Sequence, residues 1–164
     1  MERKASNVPS GAKSAGRCAG PETFALSREF YIDPSFFLLC ASEGEDAREC
    51  RAQLQADLKQ GSHFFTSAIT FVQWGGLVSE AGIDQERMLS IADGFQDLCS
   101  EILPFGLAQW QRARSIRMES GIPLSQACHA ASALESGLLW IYSTSSLYRR
   151  VPGLVPVGPG LNAP

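Results

Sequence analysis

Apolar residues recur along most of this chain at three- and four-residue intervals. Met88, Ile91, Phe95, Leu98, Ile102 and Phe105 step by three, four, three, four and three, a heptad-like seam on one face of a helix. Leu124, Ala127, Ala131, Leu134, Leu138, Ile141, Ser145 and Tyr148 repeat the alternation. Further upstream, Ala47, Cys50, Leu54 and Leu58 form a third stripe, and beyond Gly61 the chain becomes apolar on most sides through Phe64, Phe65, Ile69, Phe71, Val72 and Trp74. A helix apolar all round needs cover all round, so that segment is placed centrally or against a partner.

Local signals divide these patterns into elements. Asp33 before Pro34 fits an N-cap and a first-turn proline, predicting a short helix over residues 34–41. Ser42 stands three residues before Glu45, the spacing of a capping box, and starts a long helix reaching towards residue 80. Asp84 suits the N-cap of a second long helix, with Pro104 predicting a kink near residues 100–104 and Ser120, Gly121 and Pro123 closing it. A third long helix runs from about Pro123 to Arg150. No stretch shows sustained period-two alternation, and no hairpin dipeptide separates two apolar runs. The predicted fold is all-α: an elongated antiparallel helical bundle of three long helices plus one short helix. It occupies residues 22–150, between a disordered basic arm at 1–21 and an extended Pro/Gly-rich tail at 151–164.

Composition narrows the function classes. The 164 residues are 45% apolar with a net charge of -3, which disfavours a nucleic acid partner for want of a basic footprint. The positive charge of Arg3, Lys4, Lys13 and Arg17 sits in the arm, ahead of an acidic body. Five cysteines at irregular spacing favour reduced thiols and a cytoplasmic location. The uncharged run at 60–79 holds glutamines, a histidine and glycines, so no transmembrane span is expected.

Chemistry is sparse. His63 and His129 are the only histidines, and His129 points about 100° away from Cys128 on a helix, so the two do not form a nucleophile–base pair. There is no C-x-x-C, H-E-x-x-H or phosphate-binding loop, and no catalytic, metal or cofactor site is predicted. The remaining candidates are aromatic. Trp140, Tyr142, Leu147, Tyr148, Arg149 and Arg150 form the candidate interaction surface, an apolar patch ending in two arginines.

The long amphipathic segment "MLSIADGFQDLCSEILPFGLAQWQRAR", the break "SGIPLSQA" and the alanine-rich segment ending "WIYSTSSLYRR" resemble the phasins, helical proteins that coat polyhydroxyalkanoate granules. The resemblance covers residues 84–150 and implies a non-catalytic protein that self-associates and adsorbs to granules through an apolar face. The two heptad-like seams, the all-round apolar segment and the lack of a catalytic constellation make the leading expectation a non-enzymatic helical protein acting by self-association (a homo-oligomer) or by binding a protein partner. One alternative is a coat on lipid or polyester particles, and another is a thiol enzyme using Cys128 or Cys99.

Overall fold

The computed structural model describes residues 28–80 and 84–161; the arm predicted at 1–21 lies outside them. Five short strands, β1 (Glu29–Ile32), β2 (His63–Ser67), β3 (Glu101–Leu103), β4 (Trp140–Tyr142) and β5 (Val155–Val157), form one sheet in the order β3-β2-β1-β4-β5. Every pairing is parallel. Parallel neighbours need crossovers, and helices supply them. The pair α1 (Pro34–Ala41) and α2 (Glu45–Lys59) leads to β2, α3 (Ala68–Glu80) and α4 (Gln85–Leu98) to β3, and α5 (Leu107–Ser120) and α6 (Leu124–Glu135) to β4. A 3₁₀ turn at Ser146–Arg150 precedes β5.

The sheet separates two cores because successive side chains of a strand point to opposite faces. Tyr31, Leu103 and Ile141 face α5 and α6, packing with Ala113, Ile116, Ala127, Ala131 and Tyr148. Phe30, Ile32, Phe64 and Tyr142 face the other way, against Phe36 and Phe37 of α1, Leu54 of α2, and Trp74 and Val78 of α3. The partly buried apolar side of α4, Met88, Ile91, Phe95 and Leu98, closes that second core.

The all-α bundle expected from periodicity is thus corrected to a three-layer α/β fold. The helix expected to run from 42 to 80 ends at Lys59; Gly61 takes a left-handed φ of 80° and the chain turns into β2. The seam from Met88 to Phe105 is likewise split, its last part being β3, and Pro104 follows that strand instead of kinking a helix. The last helix stops at Glu135, where Gly137 has φ 74° and leads into β4. Its buried alanines let α6 pack closely, as a small-residue face should, but over twelve residues only.

Of the tail expected to be extended and mobile, residues 151–161 form an integral edge of the sheet. Val155–Val157 pairs with β4, and Pro156 is tolerated because an edge strand leaves one side of its ladder unpaired. Val151, Leu154 and Leu161 are buried. Some end signals hold at their own scale: Asp33 caps α1, Asp84 caps α4 by accepting from the Arg87 amide at 3.0 Å, and Gly121 ends α5 with φ 69°. Ser42 does not cap α2; Gly44 occupies that position, and the Ser42 hydroxyl donates back to the Leu39 carbonyl at 2.8 Å.

Leu154→Ala should therefore cost about 2–4 kcal/mol in urea unfolding, as for other buried leucines, whereas Leu139→Ala, at a half-exposed position, should stay within about 0.5 kcal/mol. Equal, negligible effects of both would mean that the tail does not pack.

Candidate functional site

The order of strands reverses at β1: the chain moves outward through β2 and β3, then returns to lay β4 and β5 on the opposite side. In open parallel sheets the carboxyl ends of the two strands flanking such a reversal diverge into a crevice that can admit a ligand. Here they end in Asp33 and Ser143, and a cleft of about 450 Å³ lies there. Its lining combines Asp33, Pro34 and Ser35 at the start of α1, Gln73, Gly76, Leu77 and Glu80 of α3, Ser125, Gln126 and His129 of α6, and Thr144 and Ser145 after β4.

Asp33 is only 3% exposed, so its carboxylate requires compensation by hydrogen bonds. Oδ1 accepts from the Ser35 amide (2.9 Å), the Ser35 hydroxyl (2.6 Å) and the Phe36 amide (3.3 Å). Oδ2 accepts from the Ser143 hydroxyl at 2.7 Å. Ser143 Oγ in turn accepts from the Ser145 amide (2.9 Å), and Ser35 Oγ from the Thr144 hydroxyl (2.9 Å) and amide (3.2 Å). Gly158, just past β5, lies so close to the Ser143 carbonyl that a Cβ there would overlap it, which makes glycine necessary.

Behind this carboxylate lies a neutral network. His129 Nε2 is 2.8 Å from Gln73 Oε1, which only accepts, so Nε2 carries the proton. Nδ1 then accepts from the Tyr31 hydroxyl at 2.9 Å, and Ser67 Oγ lies 2.7 Å from the same hydroxyl. Desolvation lowers the His129 pKa from its ordinary 6.5 to about 4, against an opposing pull from Asp33, and burial pushes Tyr31 up to about 12. Among the described residues three buried side-chain polar atoms have no hydrogen-bond partner: Trp74 Nε1 in the core on the other face of the sheet, Gln126 Oε1, whose Nε2 donates to Ser145 Oγ at 3.1 Å, and the Tyr148 hydroxyl, which burial and the charge of Asp33 hold well above the usual phenol range.

The six residues expected to form one interaction surface are divided by the sheet. Trp140 and Tyr142 belong to the core against α1–α3, with Trp140 half-buried beneath the Arg28 guanidinium (5.4 Å to the ring centroid) and Tyr142 fully buried, its hydroxyl bonded to Asp57. Leu147 and Tyr148 pack on the opposite core, and Arg149 and Arg150 are exposed on the 3₁₀ turn. Burial raises the described thiols, Cys40 and Cys99 to about 12, Cys50 to about 11 and Cys128 also upward, so a thiolate nucleophile at Cys99 or Cys128 is not favoured. From the sequence alone Asp33 reads only as a helix cap, Ser145 only as a position in the last helical seam, and Gln73, Ser125 and Thr144 have no role. A turn signal straight after an apolar triplet, Asp33 after "FYI" and Ser143 after "WIY", is the available clue to two buried strand ends.

No family model and no curated protein sequence matches the chain. Solved structures do match. VapBC2 from Rickettsia felis, bound to a DNA fragment from their promoter, shares 16% identity over 79% of this chain and 97% of that one, with a TM-score of 0.64. VapC20 of Mycobacterium tuberculosis, described as a Sarcin-Ricin loop cleaving toxin, shares 11% over 73% and 93%, with a TM-score of 0.61. A toxin-antitoxin complex from Klebsiella pneumoniae shares 18% over 79% and 96%, with a TM-score of 0.56. The chain shares its α/β fold with these three structures.

These likenesses overturn the phasin resemblance, and with it the granule coat and the non-enzymatic helical-bundle reading, because the neighbours share this α/β fold and one of them is described as a cleaving toxin. The exclusion of nucleic acid also loses its basis, since one neighbour of this fold is bound to DNA and net charge says little about a local cleft. Among the described residues no helix is long and apolar enough to cross a membrane.

The buried histidine makes stability depend on pH. Between about 6.5 and about 4 the unfolded chain binds a proton at His129 that the folded protein does not, so its stabilisation is complete above 6.5 and is lost as pH falls towards 4. The loss should be about 3 kcal/mol relative to His129→Gln, measured by urea unfolding at a series of pH values. Parallel pH profiles for the two proteins would show that His129 is not buried in its neutral form.

Proposed function

We propose that this protein is an RNA-acting protein of the toxin type, engaging RNA in the cleft at the ends of β1 and β4 and working with a protein partner. The observation that carries the reading is the cleft itself, seated at the reversal of strand order and lined by hydroxyl and amide side chains. Such groups match ribose hydroxyls and the edges of unpaired bases, which are the features by which single-stranded RNA is read. No side chain caps α6 at Pro123, so first-turn amides beside Ser125 and Gln126 offer donors of the kind that favour a phosphate. The description of VapC20 as a Sarcin-Ricin loop cleaving toxin supports RNA as the substrate class. VapBC2 and the Klebsiella toxin-antitoxin complex support a partner protein.

Within the cleft the chain's own residues hold and orient the ligand. Asp33 and Ser143 fix the floor, Thr144 and Ser145 are presented by the turn braced on Ser35, and Gln126 presents an unpartnered acceptor. The described lining contains no lysine or arginine, so affinity should fall only weakly with added salt compared with a protein that neutralises many phosphates.

Gly76 offers a direct test, because a side chain there would meet open space on the cleft wall. Gly76→Phe should weaken the binding of a fluorescent stem-loop RNA by at least about tenfold while leaving the melting temperature unchanged. Absence of RNA binding by the parent protein, or equal binding by the variant, would contradict the reading.

A further inference from the structure

We infer that the cleft engages its ligand without a divalent cation, through hydrogen bonds from neutral side chains around a carboxylate already committed to the fold. This rests on the proposed placement of the ligand in the cleft and concerns how that ligand is held. Phosphodiester chemistry at acidic sites generally relies on Mg²⁺ or Mn²⁺, hard ions that take oxygen ligands from carboxylates and leave open positions for substrate. The donor set here does not fit such an ion.

Only Asp33 and Glu80 among the cleft residues carry a carboxylate, and Glu80 is exposed at the last position of α3. Asp33 Oδ1 already accepts three hydrogen bonds and Oδ2 one, all from groups that hold α1 and the segment after β4 in place. Oδ2 keeps one acceptor position, yet a cation held there would have only the exposed Glu80 as a second carboxylate in the cleft. The nearby imidazole is no substitute. Its Nδ1 lone pair is used by Tyr31 and its Nε2 proton by Gln73. Among the described residues, no group of three His, Cys, Asp or Glu side chains is arranged to hold a metal ion.

What the cleft does offer is complementary to a neutral or polar ligand surface. Gln126 Oε1 is buried without a partner, while Gln126 Nε2 is anchored on Ser145 Oγ. A ribose hydroxyl or the amino group of a base would supply the missing donor once the amide turns into the cleft, because Oε1 is closed to water in the observed rotamer.

The test is a titration of MnCl₂ into the full chain without RNA, followed by water-proton relaxation. The parent protein should show no saturable binding that Asp33→Asn removes; asparagine retains the helix cap, so this control should stay folded. The double variant Gln73→Glu, Ser125→Asp adds two carboxylates to the same cleft and should gain a saturable site, at least about tenfold tighter than any residual binding by the parent. Saturable Mn²⁺ binding by the parent, abolished in Asp33→Asn, would overturn the inference. Because no RNA is present, the outcome is independent of the RNA reading, which fails separately if RNA does not bind in either EDTA or Mg²⁺.

Discussion

A single buried carboxylate organises the functional end of this molecule. Asp33 leaves β1, caps the first turn of α1 and reaches across to Ser143 at the end of β4. Hydrogen bonds to a charged acceptor are worth about 1.5–3 kcal/mol each, and a buried carboxylate deprived of them becomes costly, so these contacts act as a set. They extend outward through neighbours: Ser143 accepts from Ser145 and donates its amide to the Val157 carbonyl at 3.0 Å, which ties the last strand to the same point. The tail, the two central strands and the first helix are thereby assembled around one side chain.

A second layer of polar contacts keeps the floor of the cleft rigid. Thr66 Oγ1 donates to the Ile32 carbonyl at 2.8 Å and lies 2.8 Å from Thr70 Oγ1, joining β1, β2 and α3. Tyr31, His129 and Gln73 link the sheet to α6 and α3, with the histidine fixed in one tautomer by its two partners. Every member of that chain is neutral at ordinary pH, which suits a site that recognises hydroxyls and base edges and does not suit one that concentrates positive ions. Closely spaced, fully partnered groups of this kind change little on ligand binding, so the specificity of the cleft resides in the few polar atoms that remain open.

Short-range signals in the sequence are legible where one side chain decides a local geometry. Asp33 with Pro34, Asp84 and Gly121 mark real helix ends. The strands are not legible. They are three to five residues long, and the two central ones are largely buried, so "FYI" and "WIY" read as apolar runs with no alternation of polar positions. Joined to the helices on either side, such runs complete a three-four spacing by accident: Ile102 extends the stripe of α4, and Ile141 that of α6. Merged helices then imply a bundle, which the parallel sheet replaces. The site is hidden for the same reason. Its residues come from four separate segments that only a parallel sheet brings together, and none of them forms a local motif.

The cleft and the central strands depend on the Asp33–Ser143 contact, and a double-mutant cycle measures it most directly. Asp33→Ser keeps a capping hydroxyl but is too short to span to Ser143, and Ser143→Ala removes the other partner. Unfolding free energies of the parent, the two single variants and the double variant should give a coupling of about 1–3 kcal/mol. Additivity within about 0.5 kcal/mol would contradict this dependence, because it would mean that the carboxylate does not hold the two central strand ends together.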